Sequence, residues 1–271
     1  MKIICFANLK GGTGKTTNAF NIAGVLAQTQ KVLVIDVDPQ SNMTADMNFD
    51  LNEIYFDETP SVKDIFADGG RQLPPESIVQ KNRISELPNL DIIPSSIYLF
   101  EIEDVVNARL DRPLILARYI EDNRSFFEAY DYVIIDTNPS MSIFNVNAFL
   151  VADSIILNSD TSNNSMMGAV VFRRIWEKKC KALRVEDNVN ALIVSNYQGA
   201  SDYSKAFLEY ITKTKSLTEL TCKTYISRTD KIKEGESAHK PVCVMKKDRA
   251  VKRACAQYKA LINELKDVEV L

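Results

Sequence analysis

The hydrophobic pattern changes period several times along the chain, and each change marks an element. Ile3-Ile4-Cys5-Phe6-Ala7 is a continuous apolar run of buried-strand length. After a glycine-rich turn, Ala19-Phe20, Ile22-Ala23 and Leu26-Ala27 recur at helical spacing. The strand signature returns at Lys31 to Ile35, Asn89 to Pro94, Tyr130 to Asp136, Ser154 to Leu157 and Val189 to Asn196. Helical periodicity predicts helices over Ser61 to Phe66, Ile97 to Val106, Pro113 to Phe127 and the stretch following Asn145. The last helix, Asp248 to Leu265, places Val251, Ala254-Cys255, Tyr258, Leu261-Ile262 and Leu265 on one face, a core-packing stripe. Asn48 to Ser85 is acidic and loop-rich. Strands alternating with helices predict an α/β fold: a doubly wound, mostly parallel sheet with helices on both faces. No Pro/Gly/Ser-rich linker divides the 271 residues, so residues 1–271 are expected to form a single domain.

Composition narrows the available chemistry. His239 is the only histidine, which rules out a histidine-based metal site or a histidine-dependent triad with any redundancy. Cys5, Cys180, Cys222, Cys243 and Cys255 are dispersed with no C-x-x-C pair and read as buried thiols. No apolar run approaches the ~20 residues of a membrane span, and Met1-Lys2 leads directly into a strand. The expectation is a soluble cytoplasmic protein without membrane attachment, whose chemistry uses carboxylates, lysines and a bound ion. The net charge of −3 conceals an asymmetry. Residues 1–170 carry 12 Lys+Arg against 23 Asp+Glu, whereas residues 171–271 carry 21 against 13. The C-terminal part is therefore the candidate for an acidic partner such as nucleic acid, with a merely solvated lysine-rich surface as the alternative.

The turn after the first strand reads as a phosphate cradle. Gly11, Gly12 and Gly14 can turn successive N–H groups toward one anion, with Thr13 and Thr17 beside them, and the helix that follows adds its positive end. Lys15 would reach the terminal phosphates and the Thr16 hydroxyl would hold Mg²⁺. Leu9 stands where the strict phosphate-loop pattern has glycine, and an extra lysine, Lys10, precedes the glycines. Asp36 and Asp38 end the second strand, and Asp136 ends the strand beginning at Tyr130. Strand ends are where an open parallel sheet places its ligand crevice, and paired acids there call for a cation or a water to activate. Asp136 would hold a Mg²⁺-bound water in a Walker B arrangement.

Lys10-Gly11-Gly12-Thr13-Gly14-Lys15-Thr16-Thr17, the string Asp36-Val37-Asp38-Pro39-Gln40-Ser41-Asn42-Met43-Thr44 and the segment Tyr130 to Ser140, in this order, resemble the ParA/MinD family of deviant Walker A ATPases. The similarity runs through essentially the whole chain and is closest to ParA/Soj-type partition ATPases without an N-terminal DNA-binding extension. It implies a P-loop NTPase type of sheet, ATP and Mg²⁺ as cofactors, and a homodimer formed with ATP in which Lys10 reaches the nucleotide of the opposite subunit. By the same resemblance Lys10, Lys15 and Asp38 are catalytic, with Asp38 orienting the attacking water, while Asp36 supports the Mg²⁺ shell with Thr16 and Asp136. Asn196 matches an adenine-reading position, and a polar strand cap is the alternative.

Thr224 to Lys231 resembles the family's I-P-R segment with Ser227 in place of proline. That implies DNA binding, with Lys231 the first candidate and Arg228, Lys247, Lys252 and Arg253 after it. The implied function is ATP-dependent, non-specific binding of duplex DNA, switched off by hydrolysis that a ParB-like centromere-binding partner stimulates, in plasmid or chromosome partition at the nucleoid. A ParA-like ATPase that positions another cargo or acts in conjugation fits the same residues, whereas a nitrogenase-iron-protein-like carrier fits the dispersed cysteines poorly. Asn138, Asn158-Ser159-Asp160 and Gln198-Gly199 depart from the family pattern. The acidic ending, Lys266 to Leu271, argues against MinD-like membrane attachment.

Overall fold

The computed structural model describes residues 1–55, 59–68, 73–199 and 201–271. Six strands form one sheet: β1 (Lys2–Ala7), β2 (Val32–Asp36), β3 (Leu90–Ile93), β4 (Tyr132–Asp136), β5 (Ser154–Ser159) and β6 (Val189–Val194). Their order is β3-β2-β4-β1-β5-β6, and every pairing is parallel. All residues of β2, β3, β4 and β5 are buried, which is why β2 and β4 read as apolar runs up to their terminal aspartates rather than as alternations. Alternate residues of a strand face opposite sides of the sheet, so two cores form. Cys5, Ala7 and Ile35 belong to one core, beneath the helices Val62–Asp68, Ile115–Asp122, Ile143–Val151 and Asn163–Leu183. Ile4, Phe6 and Val34 belong to the other, beneath α1 (Lys15–Leu26) and the C-terminal helix Arg249–Asp267. The doubly wound parallel sheet expected from the sequence is the observed one.

The last helix carries the predicted stripe: Val251, Ala254, Tyr258, Leu261, Ile262 and Leu265 are buried, and the Asp248 side chain caps its start by accepting from Val251 N at 2.8 Å. Two expectations are corrected. The span Pro113 to Phe127 is not one helix. A 3₁₀ turn over Arg112–Leu114 leads into Ile115–Asp122, and Asn123, at φ −113° and ψ 29°, separates that helix from Arg124–Phe127. The Asn123 amide donates back to Tyr119 O at 2.9 Å, a local bond that competes with continuing the helix. The sequence reading assigns no element between Leu157 and Val189, yet the longest helix, Asn163–Leu183, lies there. Its outer face is charged and its buried residues are few, so its apolar periodicity is diluted. Part of the acidic stretch Asn48 to Ser85 is outside the described residues; the remainder includes a helix at Leu51–Tyr55 and a 3₁₀ turn at Pro75–Ser77.

The Asn163–Leu183 helix is anchored by an aromatic cluster in which Phe149 meets Phe172 and Trp176 edge-on at 5.1 and 5.3 Å. Trp176 Nε1 donates to Asn188 Oδ1 at 2.9 Å, and the Asn188 amide closes the adjoining turn on the Phe149 and Ala152 carbonyls. Trp176→Ala removes that anchor and is expected to lower the unfolding free energy by about 3–5 kcal/mol, measured by denaturant titration.

Candidate nucleotide site

Both sides of the central strand end in polar groups at one pole of the sheet. β1 opens into residues 8–14 and then α1; β4 lies against one edge of β1 and β5 against the other. The chain leaves β1 for β2 on one side and later crosses to β5 on the other, which makes this pole a topological switch point. Gly12 and Gly14 adopt φ of +75° and +86°, a left-handed region that admits glycine without strain and turns the loop back over the start of α1.

The parallel register sets Asp36 beside Asp136, and both are fully buried. Their environments differ. Asp36 Oδ2 accepts from Thr44 N at 2.9 Å and Thr44 Oγ1 at 2.7 Å, and its Oδ1 accepts from Asp38 N at 3.0 Å. Both oxygens are therefore occupied in shaping the turn that carries Asp38. Asp136 Oδ2 accepts from Thr16 Oγ1 at 2.7 Å, while its Oδ1 is buried with no hydrogen-bond partner. Burial raises both carboxyls above the ordinary carboxylate range; the Asp136 and Asp38 charges add to the effect at Asp36, while at Asp136 the Thr16 hydroxyl and the Lys15 charge oppose burial and Asp38 adds to it. Asp38 is 5% exposed and is also raised by burial, opposed by the Gln40 N–H at 2.9 Å and by the Lys15 charge. Lys15 is lowered by its own burial, an effect that Asp136 and Asp38 oppose.

Lys10 stands apart from this buried group. Its side chain is exposed and makes no hydrogen bond or ion pair with a described residue. Its backbone is held firmly: Lys10 N donates to Asn8 Oδ1 at 2.9 Å, and the Asn8 amide donates to Asn158 O and Ser165 O at 2.5 and 3.0 Å. A Cβ at Gly168 would fall 2.3 Å from Asn8 Oδ1 and 3.0 Å from Lys10 Cβ, so the long helix can approach this turn only through a glycine.

Behind the loop, Asn18 is a buried hub. Its amide donates to Asn158 Oδ1 at 2.8 Å and Ser195 Oγ at 2.9 Å, and its Oδ1 accepts from Tyr258 OH at 3.0 Å. Asn158, a departure from the family pattern, thus ties the end of β5 to the loop helix. A cavity of 640 Å³ opens from Gly12, Gly14 and Thr17 toward Asn196, Ser227 and Tyr258. Asn196 is exposed, adopts φ +53° and lines this cavity beyond the end of β6. Sequence reasoning misses Asn8, Asn18, Ser195, Tyr258 and Glu236, whose partners lie far along the chain. Thr44 is within its reach, because that residue closes the motif that begins at Asp36.

Of the basic candidates, Arg228 and Arg253 line a separate groove of 440 Å³ together with Tyr197 and Tyr225, whose rings lie 4.7 Å apart. Arg253 donates to Ser227 Oγ at 3.1 Å. Lys247 and Lys252 are exposed. Lys231 Nζ is instead 2.6 Å from Glu234 and 3.6 Å from Asp248, so much of its charge is met within the chain.

An all-parallel, doubly wound sheet with a glycine turn at its switch point and two strand-end carboxylates facing that turn defines a P-loop nucleoside triphosphatase. A family model, AAA_31, an AAA domain, matches residues 1–188. The chain belongs to this family, and with its relatives to the ParA/MinD ATPases. It is similar to the sporulation initiation inhibitor protein Soj of Bacillus subtilis, 26% identical over 89% of this chain and 90% of Soj. It is also similar to the chromosome partitioning protein ParA of Caulobacter vibrioides, 27% identical over 76% of this chain and 73% of that protein. Among solved structures, the ATP complex of a Cyanothece McdA variant superposes with a TM-score of 0.81 at 20% identity, covering 98% of this chain and 96% of that one. That likeness is one of fold.

The bare Asp136 oxygen has a measurable consequence. Burial holds the folded-state carboxyl above its unfolded value, so the ligand-free folded chain binds more protons than the unfolded chain above the ordinary carboxylate range. Asp136 therefore makes the chain less stable as pH rises through that interval. Asp136→Asn without ligand is expected to melt above wild type at pH 8, by about 2–4 °C for each kcal/mol of relieved burial cost of the charge, with the gap closing toward pH 5. Differential scanning calorimetry at the two pH values checks it.

Proposed function

We propose that the chain is an ATP- and Mg²⁺-dependent ParA-type ATPase, which dimerises with ATP, binds duplex DNA without sequence preference and releases it after hydrolysis. The observation that carries this reading is Asp136 Oδ1, a buried acceptor without a donor, 120 positions from a threonine hydroxyl bonded to the same carboxylate. A hard divalent cation accepts oxygen ligands of this kind, and Thr16 and Asp136 fit it directly or through its waters. Such an ion neutralises the charge of the phosphates during phosphoryl transfer. Gly11 to Thr17 would receive the phosphates on backbone N–H groups, and Lys15, buried and without a hydrogen-bond partner among the described residues, would meet the terminal ones.

The chain's own residues divide the work. Asp38 stands at the pole where the terminal phosphate would lie, on a turn fixed by the three hydrogen bonds to Asp36, and orients the attacking water. Asp36 acts through that turn: its oxygens are already occupied, so it positions Asp38 and Thr44 rather than binding the ion directly. Lys10 completes the site of a second subunit, a role suited to an exposed charge on a clamped backbone. Asn196, lining the far end of the cavity, contacts the base.

DNA phosphates are met by the basic C-terminal third. Arg228 and Arg253 carry most of this contact, with Lys247 and Lys252 in support, and Lys231 contributes less because Glu234 and Asp248 already engage it. A two-fold dimer doubles these charges on one face, and each phosphate neutralised steepens the log-log salt dependence by about 0.9. The cargo is a plasmid or chromosome, with a ParB-like partner stimulating hydrolysis. A ParA-like cargo-positioning or conjugation role is the second reading, since the ATPase would be the same and only the partner would differ.

Two sets of variants test the proposal. Lys10→Ala is expected to abolish turnover and weaken ATP-dependent dimerisation in light scattering while leaving nucleotide binding weak but present, whereas Asp38→Ala should retain ATP and accumulate as dimer. Wild-type turnover in Lys10→Ala would remove the cross-subunit role. For DNA, wild type loaded with ATP should bind duplex in a salt-sensitive manner and lose it in ADP. Arg228→Glu with Arg253→Glu should then cut affinity at least ten-fold, and more than Lys231→Glu does. Equal binding in ATP and ADP would defeat the carrier reading.

A further inference from the structure

The nucleotide cavity contains a carboxylate that neither phosphate binding nor hydrolysis uses. Glu236, one residue from the end of the helix Asp230–Ser237, lines the cavity wall beside Thr17. Its Oε1 accepts a hydrogen bond from Thr17 Oγ1 at 2.5 Å. Its Oε2 has no partner among the described residues and is not sealed from solvent, so it opens on the cavity. Thr17 immediately follows the residue whose hydroxyl meets Asp136. Glu236 therefore stands just past the phosphate end, where the cavity widens toward Ser227, Ile232 and Tyr258.

A negative group in a site for a polyanion is unfavourable unless the ligand brings it a neutral donor. A nucleoside triphosphate has such donors only on its nucleoside: the ribose hydroxyls and the exocyclic amine of the base. Lys233, on the same wall, lowers the cost of keeping the carboxylate charged but does not hydrogen-bond to it. We propose that Glu236 is a specificity-determining residue whose free oxygen accepts a hydrogen bond from the nucleoside, so that the cavity selects ligands carrying a donor at that point. The proposal rests on the nucleotide reading above. It adds that selectivity comes from this wall of the cavity as well as from the Asn196 end. Thr17 fixes the carboxylate's orientation, which makes Glu236 a preformed acceptor rather than a mobile side chain.

The test is isothermal titration calorimetry of the full chain in Mg²⁺ with ATP, 2′-deoxy-ATP, 3′-deoxy-ATP and the triphosphate of purine riboside, which lacks the 6-amine. Wild type is expected to bind one of the three analogues at least ten-fold more weakly than ATP, the loss of one hydrogen bond to a charged acceptor. Which analogue is weak identifies the donor as a hydroxyl or the amine. Glu236→Ala should bind ATP and that analogue alike, and Glu236→Gln, which keeps an acceptor oxygen, should retain part of the preference. Equal binding of all four ligands by wild type would overturn the proposal, as would an alanine variant that loses the same factor for every ligand, the result of a purely structural bond to Thr17. Failure of wild type to bind ATP at all would instead defeat the nucleotide reading itself.

Discussion

Two carboxylates placed side by side at the ends of adjacent buried strands are the constraint around which this molecule is arranged. The parallel register of β2 and β4 leaves no freedom: once Val32 pairs with Tyr132, Asp36 must lie beside Asp136. Removing both from water is unfavourable, and the structure meets the two costs differently. Asp36 is satisfied internally by Thr44 and by the backbone of its own turn, which makes it a structural hydrogen-bond acceptor. Asp136 has one hydroxyl on Oδ2, the Lys15 charge nearby and one buried oxygen, Oδ1, without a hydrogen-bond donor. The fold thus keeps a local destabilisation at the end of β4, beside the glycine turn.

The sheet and the phosphate loop are legible in the sequence because their signals are local. A continuous apolar run from Tyr132 to Ile135 and a glycine turn before Lys15 carry their meaning within a dozen residues. Asp36 and Asp38 are likewise placed at a strand end by the apolar run that leads into them. The rest depends on contacts between distant positions. Asn18 reads as an ordinary helical asparagine until Asn158, Ser195 and Tyr258 are seen around it. Gly168 lies in a helix where glycine is unfavourable, and only its contact with Asn8 and Lys10 explains it. Lys231 is singled out in the sequence by its spacing after Arg228 in the resembled segment, and that local pattern gives no sign that Asp248, seventeen residues on, returns to within 3.6 Å of its Nζ. The helix boundary at Asn123 escapes the periodicity for a smaller reason, a side chain bonding back to its own preceding turn.

The two halves of the chain divide along the charge asymmetry. The acidic part supplies the loop, the strand-end carboxylates and most of the sheet; the basic part supplies β6, the far wall of the cavity and the arginine groove. The cavity and the groove meet at Gln198, Ser227 and Arg228, which line both. A ligand in the first therefore shares a wall with whatever occupies the second. No long relay is needed to connect them.

The hydrogen bond from Tyr258 to Asn18 also says something about how the protein is made. The loop helix, early to leave the ribosome, is completed by a residue 240 positions later, and Lys2 Nζ likewise reaches Glu269 O at 2.9 Å. The glycine loop can form early, but the polar hub behind it stays open until the Arg249–Asp267 helix has emerged. A growing polypeptide would accordingly hold a partial cradle with an unfinished back wall. The back wall behind the glycine loop closes only when that helix docks against the loop helix.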